Sequence, residues 1–322
     1  MLSDFRERVE FCKKSLAKEE LCPQIHQDEG YALAVRWCRK LKTIQPGLLD
    51  ELPQGFKPPK KPIKSRRHTP KIMVSAVISR PEKKAGVGFY GGKVAILRCS
   101  EEVVAKNASK NHKKGDIYQR DTSMKNKMFK EQLTKKIFPK IKSSPSLLVK
   151  SERFASQLRA SDETCNLPEN CKWADLFLQC DNAPPHCKKN KRLFPIIKKA
   201  GGRNILDGIY YGPKVRLTYQ PPDSPDLNVM DLGFSNSLWT KTHKILKNRD
   251  DIPSLDDVWE AVKMAWSDIS PVDIEVLFRT LHLRMKQVID CNGRNDMSIP
   301  HDGIREHVQL EDTELKNQNF SS

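Results

Sequence analysis

Residues 174–192 read A-D-L-F-L-Q-C-D-N-A-P-P-H-C-K-K-N-K-R, and the order of chemistry along them decides the fold. A short apolar run, Leu176, Phe177 and Leu178, stops at Asp181; Asn182, Pro184 and Pro185 follow, and then a lysine-rich segment begins. An apolar run closed by turn chemistry reads as a buried strand. Asn or Asp before Pro at the first helical position reads as a helix start, which predicts a helix over 185–200. Asp181 then stands where a core strand gives way to a helix. An α/β sheet presents its chemistry there, because the side chain is held rigidly yet points out of the core. Taken alone, Asp181 is equally explained as a helix cap.

Outward from this stretch the strand pattern recurs. K-I-M-V-S-A-V-I-S at 71–79 is almost continuously apolar and β-branched, so a fully buried strand; G-K-V-A-I-L-R-C at 92–99 is the next strand, and V-R-L-T-Y at 215–219, after Pro213, is a further one. Residues 24–37, Q-I-H-Q-D-E-G-Y-A-L-A-V-R-W, read as a strand pair carrying Asp28 and Glu29, with Gly30 at a bend or bulge. Apolar residues at helical spacing predict helices over 4–20, 124–141, 226–246, 255–266 and 273–288. The Pro- and Lys-rich residues 43–70 read as an exposed arm, 100–122 as a polar loop, and 143–172 as a connection of low order. From Asn292 onward the chain looks frayed, and its last dozen residues are expected to be disordered. The order is a mixed α/β plan around one central sheet, with helices closing the chain.

The 322 residues carry 57 Lys and Arg against 40 Asp and Glu, a formal charge of +17. Such an excess implies a polyanionic partner, most simply nucleic acid. The basic residues gather at 57–67, 106–142 and 188–199; Lys60, Lys61, Arg66, Arg67, Lys188, Lys189, Lys191 and Arg192 are the candidate contacts. No apolar run approaches a membrane span, and the charged N-terminus is not a secretory signal, so no membrane partner is expected. Nine cysteines without paired C-x-x-C spacing argue against a disulfide framework. Cys165, Cys171, Cys180, His186 and Cys187 match no common zinc-ligand spacing, which leaves a zinc-stabilised interaction protein as the weakest reading.

Three acids stand on predicted core elements: Asp28 on an early strand, Asp181 at a strand end, and Asp231 on a helix among Leu227, Phe234 and Leu238. Buried together, carboxylates repel one another and bind divalent cations. Two Mg²⁺ ions about 4 Å apart in such a cluster are the arrangement that cuts and joins phosphodiester bonds. Asp223 and Asp226 are rivals for the third position, but turn and cap positions suffice to explain both.

The sequence resembles the catalytic region of mariner-like transposases, DDD-type, in their plant and protist branch. The likeness rests on F-R-E-R-V-E-F-C, I-H-Q-D-E, K-I-M-V-S-A-V-I-S-R-P, G-K-V-A-I, L-Q-C-D-N-A-P-P-H, Q-P-P-D-S-P-D-L-N-V-M-D-L-G-F and L-F-R-T-L-H-L-R-M-K-Q-V, nearly the whole chain. It implies a ribonuclease-H-like domain over 23–250 behind an N-terminal helix at 1–22, C-terminal helices at 251–290 and a tail at 291–322. It maps the catalytic and metal-binding acids onto Asp28, Asp181 and Asp231, with Asn182, His186 and Glu29 as possible supporting residues and two Mg²⁺ or Mn²⁺ ions as cofactor. It further implies cut-and-paste transposition in the nucleus: hydrolysis at the element end, then attack of the freed 3′-hydroxyl on target DNA, usually at a TA step. The implied partners are double-stranded DNA, as element ends and target, and a second copy of the chain.

Gly30 and Tyr31 stand where that family usually has Lys and Trp, and the 49 residues between Asp181 and Asp231 exceed its usual spacing, so an insertion near 200–213 is expected. The paired helix-turn-helix modules that precede this region in the family lie outside the likeness. The sequence is therefore expected to be the catalytic portion, from a fragment, a truncated gene model or a decayed copy. A domesticated or decayed descendant that binds DNA without catalysis is the alternative reading.

Overall fold

In a computed structural model the protein is described over residues 2–19, 24–33, 71–81, 91–109, 112–144, 147–148, 152, 156, 173–186, 191–207, 209–247, 253–299 and 303–309. Helix α1 (Leu2–Glu19) is followed by strands β1 (Gln24–Leu33), β2 (Lys71–Ser79), β3 (Lys93–Arg98), β4 (Ser100–Val104) and β5 (Ile117–Asp121). Helices α2 (Asn126–Gln132) and α3 (Phe138–Ser143) flank a π-helical turn, Leu133–Ile137. Strand β6 (Leu176–Cys180) precedes α4 (Leu193–Ala200), β7 (Asn204–Leu206), β8 (Ile209–Tyr211) and β9 (Val215–Tyr219). A second π-helical turn, Met230–Phe234, runs into α5 (Ser235–Leu246), and α6 (Leu255–Asp268) and α7 (Pro271–Asp290) follow.

The central sheet has the order β3-β2-β1-β6-β9; β1, β2 and β3 are antiparallel neighbours, while β6 runs parallel to both β1 and β9. The mixed pairing follows from the connections. A long crossover returns the chain to β6 and another to β9, and both bring it in parallel.

Side chains alternate across each strand, and this sorts the core into two layers. On one face Ile25, Val77, Leu176, Leu178 and Val215 pack beneath Phe129, Leu133, Ile137, Phe138, Leu193 and Ile197, the inward stripes of α2, α3 and α4. On the other, Ala76 and Ile78 meet Phe234, Leu238, Phe278 and Leu281, and Ile72, Val74 and Ala32 meet Val258, Ala261 and Val262. The sheet is thus covered on both faces, which is why β2 reads as an almost continuous apolar run although both its neighbours are antiparallel. Helices α6 and α7 each begin with a capping box, Ser254 with Asp257 and Ser270 with Asp273, which satisfies N–H groups the first turn leaves unbonded.

Several expectations are corrected. Residues 24–33 are one strand instead of a pair, paired residue for residue with β2 through Gly30, which makes no bend or bulge. A Cβ at Gly30 would lie 2.6 Å from Cζ2 of Trp239, so the glycine makes room for the indole. Residues 100–122 are not a loop, because β4 and β5 form a hairpin. Within 200–213, where an insertion is expected, β7 and β8 form a second small hairpin. The segment 226–246 is not one helix: a 3₁₀ turn at Pro225–Leu227 and the π turn precede α5. The helix expected over 185–200 is a 3₁₀ turn, Pro184–His186, with α4 beginning only at Leu193. The region beyond Asn292 is partly ordered, since a helix over 304–309 buries Ile304 and Val308. The arm at 43–70 and the last dozen residues lie outside the described residues.

Candidate active site

The parallel pairing of β1 with β6 sets Ile25 beside Leu178 and His26 beside Gln179. Carried two residues further, the same register brings Asp28 level with Asp181, where the chain leaves the sheet. Asp181 Oδ1 accepts the Ala183 N–H at 2.9 Å, which turns the backbone into the 3₁₀ turn ending at His186. The cap explanation for Asp181 therefore holds for one of its bonds and leaves the rest of the carboxylate for other work.

That carboxylate also meets His186, whose Nδ1 lies 2.5 Å from Asp181 Oδ1. The imidazole is buried against Phe129, with ring centroids 4.3 Å apart, and its Nε2 lies 3.0 Å from Glu29 Oε2 without the alignment of a hydrogen bond. Glu29 accepts from Ser75 Oγ at 3.2 Å and from Gln27 Nε2 at 3.1 Å. Alternation along β1 explains the grouping: Gln27 and Glu29 face the α2 side, Asp28 the opposite side. Glu29 thus backs the site through His186 and does not point into it beside Asp28.

Asp231 arrives from the second π turn, and the structure corrects its expected orientation. Met230 and Phe234 take the buried positions while Asp231 is exposed, and the backbone of the same turn leaves helical geometry at Gly233. Asn228 joins it to the strand: Nδ2 donates to Asp28 Oδ2 at 2.9 Å and to Asp231 Oδ2 at 3.4 Å, while Oδ1 accepts the Met230 N–H at 3.1 Å. Nothing in the sequence reading singled out Asn228, although its place three residues before Asp231 is helical spacing and was a usable signal.

The electrostatics follow from this crowding. Burial first, then the facing Asp231, with smaller contributions from Glu29 and Asp181, pushes the Asp28 carboxyl up to about 7 against the Glu29 N–H bond that lowers it. Asp231 is raised by partial burial and by Asp181, against the Asn228 bond. Asp181 is held below its ordinary range: burial would raise it, but His186 and the Ala183 N–H outweigh that. Burial would lower His186, yet Asp181 and Glu29 raise it to about 10, so the ring is a cation at neutral pH. His26, on the Asp28 face and edge-on to Phe278, is kept neutral by burial, near 4. Among the described residues His186 is thus the one cation set against this group, between Glu29 and Asp181, while the charges of Asp181 and Asp231 bear on Asp28 and that of Asp181 on Asp231.

Among the described residues no three His, Cys, Asp or Glu side chains are already drawn together as a metal cage. The donor set nevertheless suits a divalent cation: oxygen ligands from three separate elements, accessible at Asp181 and Asp231, whose mutual repulsion a bound cation relieves. Asp226 is different. Arg8 Nη1 and Nη2 donate to its two oxygens at 3.0 and 2.8 Å, and Arg284 Nε donates at 2.8 Å. Asp226 is therefore neither a cap nor available to a metal, and Ser224, at the cap position, makes no capping bond.

Asn182 Nδ2 donates to the Gln220 carbonyl, tying the loop after β6 to the end of β9. Of the basic candidates, Lys191 and Arg192 are exposed at the start of α4, while Lys60, Lys61, Arg66, Arg67, Lys188 and Lys189 lie outside the described residues. Of the zinc candidates, Cys180 is a buried free thiol and His186 is engaged by carboxylates, while Cys165, Cys171 and Cys187 also lie outside the described residues.

No protein-family model matches the sequence, and no curated protein matches it. Among solved structures the chain is similar to a pre-cleavage Mos1 transpososome, with a TM-score of 0.53 and 12% identity over 92% of this chain and 65% of that one. It is also similar to a Mos1 mariner paired end complex with Mn, with a TM-score of 0.51 and 12% identity over 91% of this chain and 63% of that one. The chain spans less than two thirds of the length of either. At that identity the likeness is one of fold: a ribonuclease-H-like mixed sheet with helices on both faces.

Proposed function

We propose that this chain is the catalytic domain of a mariner-like transposase of the DDD type, plant and protist branch. It cuts phosphodiester bonds at element ends and joins the freed 3′-hydroxyl to target DNA. The observation that carries the reading is the convergence of Asp28, Asp181 and Asp231 from a strand, a strand end and a helical turn; among the described residues none of the three is ion-paired to Arg or Lys. The fold shared with the two Mos1 complexes, one of them with Mn, supports it.

The three aspartates would hold two Mg²⁺ or Mn²⁺ ions. Bound there, the ions supply activation of the attacking oxygen and stabilisation of the leaving one. The chain's own residues set the stage: His186, pinned by Glu29, orients Asp181, and the Ala183 N–H fixes the same carboxylate from the backbone side. The charge of +17 and the exposed Lys127, Lys135, Lys136 and Lys140 on the outer side of residues 126–143 favour double-stranded DNA as substrate. A second copy of the chain in the DNA complex and nuclear residence belong to the same reading.

A supercoiled-plasmid assay tests it. Nicking is expected only with Mg²⁺ or Mn²⁺, and Asp181→Ala should reduce it on the order of 10³-fold while DNA binding persists. Binding without cleavage, unaltered by Asp181→Ala, would establish the non-catalytic DNA-binding alternative instead.

A further inference from the structure

We infer that Asn228 is a positioning residue that clamps the strand-borne Asp28 to the helix-borne Asp231, so that divalent-cation affinity depends on its side-chain amide. The inference rests on the divalent-cation reading of the three aspartates and goes beyond it to a residue that is neither an acid nor a ligand in that reading.

The geometry has three parts. Asn228 is buried, at 1% exposure, so its amide cannot turn to water for partners. Its Oδ1 accepts the Met230 N–H, the first donor of the π turn that carries Asp231. That bond settles which way the amide faces, since the opposite rotamer would aim an N–H at an N–H. Nδ2 is thereby directed at the carboxylates and donates to Asp28 Oδ2 and Asp231 Oδ2. One side chain therefore starts the turn, reaches across to β1 and bridges two acids that would otherwise only repel. A neutral amide can do this without competing for the cation, whereas a lysine there would neutralise the acids and exclude it.

Two variants separate the bridge from the cap. Asn228→Ser keeps a hydroxyl able to accept the Met230 N–H but is too short to span the acids. Asn228→Asp keeps size and acceptor and removes the donor. Mn²⁺ alone is titrated into the 322-residue chain, by calorimetry and by the loss of its free-ion paramagnetic resonance signal, and melting is followed in chelator and in Mn²⁺. Asn228→Ser is expected to bind Mn²⁺ about tenfold more weakly, the usual loss when a residue orienting a ligand is removed, and to melt below wild type in chelator because the two acids lose their bridge while the turn keeps its cap. Asn228→Asp is expected to melt lower than wild type in chelator and to gain more from Mn²⁺ than wild type does, because a fifth carboxylate adds repulsion that the cation relieves.

Wild-type Mn²⁺ affinity in Asn228→Ser, within about twofold, overturns the inference, as does wild-type melting of Asn228→Asp in chelator, which a cap alone would predict. Failure of the underlying reading looks different. Folded wild type would then bind no Mn²⁺, or Asp28→Asn would bind it as well as wild type does.

Discussion

Two groups of carboxylates are assembled from remote parts of this chain, and they differ in how their charge is balanced. Around Asp226, Arg8 from α1 and Arg284 from α7 supply two guanidinium groups, both nearly inaccessible, for one acid. Arg8 also donates to Ser224 Oγ at 2.6 Å and to the Gly293 carbonyl at 2.9 Å, and Arg284 to the Gln287 side chain and to the carbonyls of Asn295 and Met297. Every charge there has a partner inside the protein. The second group, Asp28, Glu29, Asp181 and Asp231, has His186 as its one ionised counter-charge among the described residues. A buried pair that is complete locks a fold. A set of acids that is not complete stores repulsion, and folded proteins keep such repulsion mainly where a ligand will relieve it.

The same isosteric substitution should therefore act with opposite sign at the two places. Asp226→Asn leaves Arg8 and Arg284 facing each other without an anion, and stability should fall by roughly 3–5 kcal/mol, the usual cost of breaking a buried pair from one side. The Asp226 carboxyl is held below its ordinary range because the two arginines outweigh the burial that would raise it. Its stabilisation is therefore present above the unfolded carboxylate value and is lost as pH falls through the folded one. Urea denaturation near neutral pH measures the effect; an unchanged midpoint would mean the arginines gain nothing from the acid.

Asp28→Asn should do the reverse in metal-free protein. With its folded value raised to about 7, Asp28 favours folding when protonated, and that contribution is lost as pH rises from about 4 through 7. In chelator the asparagine variant should gain on wild type by on the order of 1–3 kcal/mol between about pH 4 and about pH 8, taking about 1.4 kcal/mol per unit and discounting for partial solvent access. Against this stands a pH-independent cost, because its amide N–H replaces an acceptor of the Glu29 N–H or of Asn228 Nδ2. The advantage should shrink as pH drops toward 4, and added Mn²⁺ should stabilise wild type but not the variant. Equal stability of the two proteins across this range would show that the acids do not press on one another.

These two places also mark what could be read from the sequence and what could not. The strand at 71–79 was legible because a strand covered on both faces is a nearly continuous apolar run. Residues 176–180 were legible because a short apolar run is closed by turn chemistry, and 215–219 because Val, Leu and Tyr alternate with polar residues. The β4–β5 hairpin was not, because S-E-E-V-V and I-Y-Q-R-D bury neither face and carry no hydrophobic period. Asp28, Asp181 and Asp231 could be named from motifs, as could His186 and Glu29 as supporting residues, but Asn228 and the arginines that hold Asp226 could not. The bond from Arg8 to Asp226 spans 218 residues, and no local pattern reports contacts of that range. Asp231 sits in a turn, Met230–Phe234, whose backbone leaves helical geometry at Gly233, so a continuous helical period over 226–246 misplaced its side chain. Gly30 looked like a bend and is instead the floor beneath Trp239, a fact of packing between β1 and α5.

The smallest expected effect is also the one that separates burial from mere pairing. Asp231 is exposed and the Asp181 side chain is about a third accessible, so solvent ions reach that group, whereas Arg8 and Arg284 are 3% and 1% exposed. Raising NaCl from about 0.1 M to about 1 M shortens the screening length from about 10 Å to about 3 Å. In chelator at about pH 8, the gap between Asp28→Asn and wild type should then narrow by a few tenths of a kcal/mol as repulsion in wild type is screened. The gap between Asp226→Asn and wild type should stay constant, since the arginine pairs lie where counter-ions do not enter. If salt moved both gaps alike, accessibility would not be what distinguishes the two groups. The acids at 28, 181 and 231 would then no longer stand apart from Asp226 by their openness to solvent ions.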